Sequence, residues 1–273
     1  MNARPSNQLI EVSSTQLYHE VRGSGPSVLF IQGATGDGGT FERVAELLAD
    51  EFTVVTYDRR GNSRSPIPAG WNETSMNEQA DDAAGLIRAL GLGPAAVFGT
   101  SGGAVILLNL LVRHPEVLRG AIVHEPPLVP VVSNAEELGA MLQSMTEEGL
   151  AKVGPRGTME MFLRQNVGDA NFENLDPQLR ERMLGNAEVF FYIELKAFVS
   201  YVPGPEALAE VKVPVQVMAG ADNRGVYLYE AAEWVAEQLG TELKELPGGH
   251  APYFDRPEEM VETIRPFLRQ VSQ

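Results

Sequence analysis

At 273 residues the chain is long enough to bury an ample core, and its 44% hydrophobic and 21% charged content is that of an ordinary globular protein. A formal net charge of −16 repels nucleic-acid phosphates and anionic bilayers, which argues against nucleic acid or a membrane surface as a partner. There is no cysteine, so disulfide scaffolds, thiolate nucleophiles and cysteine-built zinc sites are excluded.

Residues 1–12 lack the apolar stretch of a signal peptide, and no window approaches the roughly 18 uninterrupted apolar residues of a membrane span. A cytoplasmic protein is the expectation, with a homodimer left open. Residues 17–21 and 27–32 read as strands, the second a continuous apolar run ending at Gly33. Helical spacing follows over 41–49, then a β-branched strand over 52–57 and a helix over 76–90 that Gly91 and Gly93 stop. A short apolar strand at 95–98 leads into Gly99-Thr100-Ser101-Gly102-Gly103, a helix over 104–113 and a strand over 120–124. From about 130 to 205 the pattern turns helical, after which a strand (213–219), a helix (227–239), a strand (242–246) and a last helix (258–271) resume the alternation. Strands this apolar, alternating with helices, imply a mainly parallel sheet covered on both faces. The expected organisation is one α/β domain over 1–273, with a helical lid inserted at about 130–205.

Gly99-Thr100-Ser101-Gly102-Gly103 matches G-x-S-x-G and sits where that motif works, directly after a strand and opening a helix. The serine must occupy a strained turn, and glycines two residues to either side remove the collisions that side chains would cause. The helix N-terminus also directs backbone N–H groups at a developing oxyanion. Ser101 is therefore the candidate nucleophile, with the Gly102 N–H as one oxyanion donor. A serine hydroxyl needs a neighbouring base, usually histidine. Of His19, His114, His124 and His250, the last lies in Leu246-Pro247-Gly248-Gly249-His250, a loop on the same sheet edge as the serine turn. His19 and His114 read as surface residues, and His124 as a core or pocket residue.

The Gln32-Gly33 loop, the stretch Asp58-Arg59-Arg60-Gly61-Asn62-Ser63-Arg64-Ser65, the serine turn and Pro247-Gly248-Gly249-His250 occur in this order. Together they resemble the α/β-hydrolase superfamily over nearly the whole chain. The resemblance implies a twisted, mainly parallel sheet flanked by helices, a lid, and acyl-transfer chemistry without cofactor or metal. It also implies that the backbone of Gly33 or Ala34 supplies the second oxyanion donor, and that the 58–65 stretch is mainly a structural turn. Serine at position 101 sets the chain apart from the epoxide hydrolases and dehalogenases of this fold, which carry aspartate there. The run Gly36-Asp37-Gly38-Gly39 is expected to shape a pocket floor.

Two carboxylates compete as the acid that orients His250. The usual acid of the fold follows the strand at 213–219, where Asp222 fits only if Ala219 replaces the customary glycine; counted from Gly220, Asn223 holds that place. Glu125, in Val123-His124-Glu125-Pro126-Pro127, closes a buried strand ahead of two prolines, which hold it rigidly. Glu125 is preferred, with Asp222 as the alternative. The segment through His124-Glu125-Pro126-Pro127, with Leu246-Pro247-Gly248-Gly249-His250-Ala251-Pro252-Tyr253, also resembles the zearalenone lactonases, which open a macrocyclic lactone and use a glutamate at the place of Glu125.

The expected activity is hydrolysis of an ester or lactone in a bulky apolar small molecule. Alternatives on the same residues are carbon–carbon bond hydrolysis, a perhydrolase side activity, or a low-turnover ligand receptor. Some of Met141, Met145, Met161, Phe162, Met183, Phe190, Phe191, Tyr192, Phe198 and Tyr201 are expected to line the pocket.

Overall fold

The computed structural model describes residues 8–273; residues 1–7, where a leader would begin, lie outside the described residues. Eight strands form one sheet in the order β1-β2-β4-β3-β5-β6-β7-β8. They are β1 (Gln8–Val12), β2 (Thr15–Arg22), β3 (Ser27–Ile31), β4 (Thr53–Tyr57), β5 (Ala95–Thr100), β6 (Leu118–His124), β7 (Val215–Gly220) and β8 (Leu243–Leu246). The β1–β2 and β2–β4 pairs are antiparallel, and every pair from β4 to β8 is parallel.

The two central strands explain the layering. Every residue of β3 (SVLFI) and β5 (AAVFGT) is buried, which is possible only with helices on both faces. Helices α1 (Glu42–Leu48), α2 (Met76–Ala89) and α3 (Gly102–Arg113) follow β3, β4 and β5. All of α3 from Gly102 to Leu111 is buried, so this helix packs in the heart of the domain. After β6 come α4 (Ala135–Val167), α5 (Asp169–Asn174), α6 (Pro177–Gly185) and α7 (Ala187–Val189). A π-helical turn (Phe190–Glu194) and α8 (Leu195–Ser200) complete this insertion. Gly154, at φ 70°, and Pro155 break α4 into two stretches, because proline has no N–H for the preceding turn and suits the start of a new helix.

The chain then returns through α9 (Pro205–Ala209), β7, α10 (Tyr227–Gln238), β8, α11 (Pro252–Asp255) and α12 (Pro257–Val271). α12 buries Met260, Val261, Ile264, Phe267 and Leu268, a single stripe at helical spacing that seats it on the core. Among the described residues no helix is long and apolar enough to cross a membrane.

The structure departs from expectation at the first two strands and at two histidines. β1 is an additional edge strand, β2 extends beyond 17–21, and His19 on β2 is buried, at 4% exposure, where a surface position was expected. His114 is partly buried and pairs with Asp81 at 2.6 Å.

Candidate active site

Because β3, β5, β6, β7 and β8 are parallel, their carboxyl ends share one edge of the sheet, and every candidate site residue follows one of those ends. Such an edge is where open α/β sheets bind ligands. Ser101 leaves β5 with φ 54° and ψ −128°, a conformation that L-residues seldom adopt. Its neighbours show why the motif needs glycine. A Cβ on Gly103 would stand 2.1 Å from the Ile31 carbonyl oxygen, and one on Gly99 would stand 2.5 Å from that of Gly103. Ser101 N–H donates to the His124 carbonyl at 3.0 Å, and the Ser101 carbonyl accepts from Ala104 N–H at 2.9 Å, locking the turn at both ends. Gly102 begins α3, so its N–H is one of the orphan donors of a helix N-terminus. Gly33 lies against this turn: a Cβ there would meet Ser101 Cβ at 2.8 Å and Gly102 N at 3.2 Å.

Glu125 is fully buried, and its Oε2 lies 2.6 Å from His250 Nδ1. A carboxylate can only accept, so this contact selects the Nδ1–H tautomer and leaves Nε2 as the basic nitrogen. Oε1 accepts from Gly220 N–H at 2.8 Å, and Asn223 Nδ2 donates to both oxygens at 2.8 and 2.9 Å. Burial alone would raise the Glu125 pKa. The hydrogen bond with His250, the electrostatic effect of the His124 and His250 rings and, last, the amide of Asn223 outweigh it and hold the carboxyl at about 2. Its backbone is also strained, at φ 45°. The following proline favours an extended backbone at this position, and the structure overrides that preference. The Glu125 N–H donates to the Met218 carbonyl on β7 at 3.1 Å, which accounts for part of the restraint.

Asp222 stands elsewhere. Its side chain is exposed, and its N–H donates to the Gly248 carbonyl at 3.0 Å, so the residue fixes the turn after β7 and approaches the histidine loop by its backbone alone. Its neighbour Asn223 points inward and serves Glu125, a role that the sequence reading missed although it had noted the position. His124 is fully buried beneath the site. Its ring is stacked 6.0 Å from that of His250 on one side and 6.0 Å from that of Phe98 on the other. Its Nδ1 lies 2.8 Å from Thr100 Oγ1, and burial pulls its pKa down to about 4, so the ring is neutral at pH 7.

The loop after β3 is braced by Gln32, whose Nε2 donates to Thr35 Oγ1 at 2.7 Å and Thr40 Oγ1 at 2.8 Å. The glycine run beyond it, expected to shape a pocket floor, is tied into the domain by hydrogen bonds. Gly38 N–H donates to Asp58 Oδ1 at 2.8 Å, and Asp37 accepts from Gly39 N–H at 2.8 Å and from Arg182 Nε at 2.6 Å. Among the expected pocket residues, Met141, Met145, Met161 and Tyr192 are exposed, whereas Met183, Phe190 and Phe198 are buried. Phe162, Phe190, Phe191 and Phe198 form a chain of ring contacts with centroids 5.1 to 6.4 Å apart. Phe198 covers Gly102, where a Cβ would come within 2.9 Å of its ring. Among the described residues no three His, Asp or Glu side chains cluster closely enough to hold a metal ion.

A buried carboxylate on a histidine and a serine on a strained strand-to-helix turn, all at the carboxyl edge of a mainly parallel sheet, define a class of hydrolase. A profile of the alpha/beta hydrolase family matches residues 28–263, and the chain belongs to that family. It is 35% identical over 269 residues to the uncharacterised hydrolase YraK of Bacillus subtilis, covering 97% of each chain. It is 28% identical over 261 residues to a zearalenone hydrolase of Cladophialophora bantiana, covering 92% of this chain and 93% of that one. The structure of a thermophilic esterase from Thermogutta terrifontis superposes with a TM-score of 0.77 at 23% identity, over 99% of this chain and 100% of the other.

Proposed function

We propose that the protein is a serine hydrolase that cleaves an ester or lactone bond of a bulky, weakly polar small molecule through an acyl-enzyme. The observation that carries this reading is the 2.6 Å contact between Glu125 and His250 Nδ1, on the edge where Ser101 is presented. His250 Nε2 takes the Ser101 proton as Oγ attacks the carbonyl, and Glu125 stabilises the imidazolium that forms. The negative charge that develops on the carbonyl oxygen falls to the N–H groups of Gly102 and of the Gly33–Ala34 segment. His250 then returns its proton to the departing alkoxide, so the C–O bond breaks and the acyl group stays on Ser101. A water molecule, deprotonated by the same nitrogen, attacks the acyl-enzyme; His250 gives that proton to Ser101 Oγ as the acyl C–O bond breaks and the acid leaves.

The helical insertion acts as the lid, with Phe162, Phe190, Phe191 and Phe198 supplying apolar surface above the serine. The zearalenone hydrolase, by its name, acts on zearalenone, and its similarity over most of both chains favours lactones within the substrate class.

The test begins with intact mass after treatment with a fluorophosphonate, beside Ser101→Ala. A single adduct that the variant loses supports an activated serine. Absence of labelling in folded protein overturns the proposal. A panel of esters, lactones and β-diketones then identifies the bond. Turnover of β-diketones alone would replace ester hydrolysis by carbon–carbon cleavage, and labelling without sustained turnover of any substrate would indicate a ligand receptor.

A further inference from the structure

Arg59 takes no part in the steps above, yet it is the largest fully buried side chain among the described residues. One edge of its guanidinium faces the loop after β3, where Nη2 and Nε donate to the Gly33 carbonyl at 3.0 and 3.3 Å. Gly36 N–H donates to the same oxygen at 3.0 Å. The other edge meets Glu194 of the helical insertion, with Nη2 2.8 Å from Oε2 and Nη1 on Oε1. Glu194 has no exposure and also accepts from Asn62 Nδ2 at 3.0 Å and Gln79 Nε2 at 3.4 Å. It ends the π-helical turn, a form found mostly as local insertions in helices and often near functional sites.

Stability does not explain this arrangement, because an apolar pair of similar volume generally holds a core as well as a buried ion pair does. Its geometry has another consequence. In a trans peptide the C=O and the following N–H point in opposite directions. Fixing the Gly33 carbonyl on Arg59 therefore fixes the Ala34 N–H on the opposite side of that peptide plane. Gly33 itself abuts Ser101 and Gly102. Phe198 spans the gap, its ring centroid 5.2 Å from Arg59 Cζ and its edge against Gly102. The same stretch of the insertion grips this loop twice more, through Arg182 on Asp37 at 2.6 Å and Asn186 Nδ2 on the Thr35 carbonyl at 2.5 Å.

We propose that Arg59, clamped by Glu194, is a positioning residue for the oxyanion hole: it holds the Gly33–Ala34 peptide in the orientation that presents its N–H, so the helical insertion sets the competence of a donor built on β3. The inference rests on the serine-hydrolase reading and adds to it a residue that touches no substrate.

The test compares the parent with Arg59→Met, with Arg59→Met/Glu194→Met and with Arg59→Lys. The double variant removes both buried charges and so stays folded if the single one, which strands Glu194, does not. Arg59→Lys keeps a charge against Glu194 but has no fork to serve both partners. The readouts are melting temperature, the second-order rate of Ser101 labelling by a fluorophosphonate as a function of pH, and kcat and KM for an ester that the parent hydrolyses. Labelling is expected to fall roughly 10- to 100-fold in all folded variants, less than the loss of an entire donor. The pH midpoint should stay where it is, because Glu125 and His250 are untouched, and kcat should fall with KM little changed. A folded double variant that labels within about threefold of the parent would overturn the inference. So would a fall accompanied by a shifted midpoint, which would place the damage at His250. A parent that does not label overturns the hydrolase reading and the inference with it, and is recognised before any variant is made.

Discussion

Glu125→Gln is the most informative single change, since glutamine has the shape of glutamate and alters only its charge and hydrogen-bonding pattern. In the parent, the carboxylate faces His250 Nδ1 at 2.6 Å inside a site with no solvent exposure at Glu125. When the imidazole becomes imidazolium, its charge is spread over the ring, so the effective separation of charges is nearer 4 Å. At an effective dielectric of about 20 that attraction is worth about 4 kcal/mol. The amide oxygen of glutamine recovers about 1 kcal/mol through a neutral hydrogen bond. The difference, about 3 kcal/mol, corresponds to a loss of about 10²-fold in kcat, approaching 10³-fold if the amide turns its NH2 to Nδ1 and selects the wrong tautomer. KM should stay within about twofold, because the charge matters only once the imidazolium forms. Steady-state ester hydrolysis and fluorophosphonate labelling should report the same loss. Full activity in Glu125→Gln, with most activity lost in Asp222→Asn, would refute the assignment of Glu125 as the acid.

Asp222→Asn should keep activity within about twofold in the same assays, since its side chain is exposed and its structural hydrogen bond is made by the backbone. Asn223→Leu removes two donors from the buried Glu125 carboxylate and should lower kcat about tenfold or more, measured against unchanged labelling stoichiometry. His124→Phe should alter how stability depends on pH. The folded pKa of His124 is lowered from 6.5 to about 4, so as pH falls through that window the unfolded chain takes up the proton first and the parent loses up to about 3 kcal/mol. Asp82, which burial raises to about 6, acts in the opposite sense but is common to both proteins, so urea titrations of variant and parent at pH 7 and 4.5 isolate the His124 contribution. Equal pH slopes would contradict this account. Gly103→Ala drives a methyl toward the Ile31 carbonyl at 2.1 Å and should lower stability by about 1–3 kcal/mol, seen as a melting temperature several degrees lower.

Much of the sheet was legible because its strands are continuous apolar runs closed by glycine, and parallel strands buried on both faces leave that trace. β1 was not, because its five residues, QLIEV, form an edge strand whose apolar positions make neither a clean alternation nor the continuous run of the inner strands. Ser101, His250 and the preference for Glu125 came from short motifs, each local to a few residues. Their partners were hidden by distance along the chain. Asn223 lies 98 positions from Glu125, and Glu194 lies 135 from Arg59. A glutamate within a helical segment reads as a solvent-facing charge, and nothing in its neighbourhood marks Glu194 as buried. The same blindness placed His19 at the surface and left open which lid side chains face a pocket, Met141, Met145 and Met161 being exposed, since periodicity tells that a helix has an apolar face but not what that face meets.

Ser101 and Glu125 both hold left-handed backbone, at φ 54° and 45°, and each such position costs about 1–3 kcal/mol. Glycine at 101 would relieve that cost, so on the proposed reading a change that makes this protein hardier is also one that silences it. Glycine at 125 would also strip the buried carboxylate from Gly220, Asn223 and His250. Selection for heat resistance alone would erode the chemistry here first. On that reading endurance and reactivity are opposed at Ser101, and a thermostable variant has to gain its margin elsewhere, on the outer helices and the sheet edge, leaving both strained turns alone.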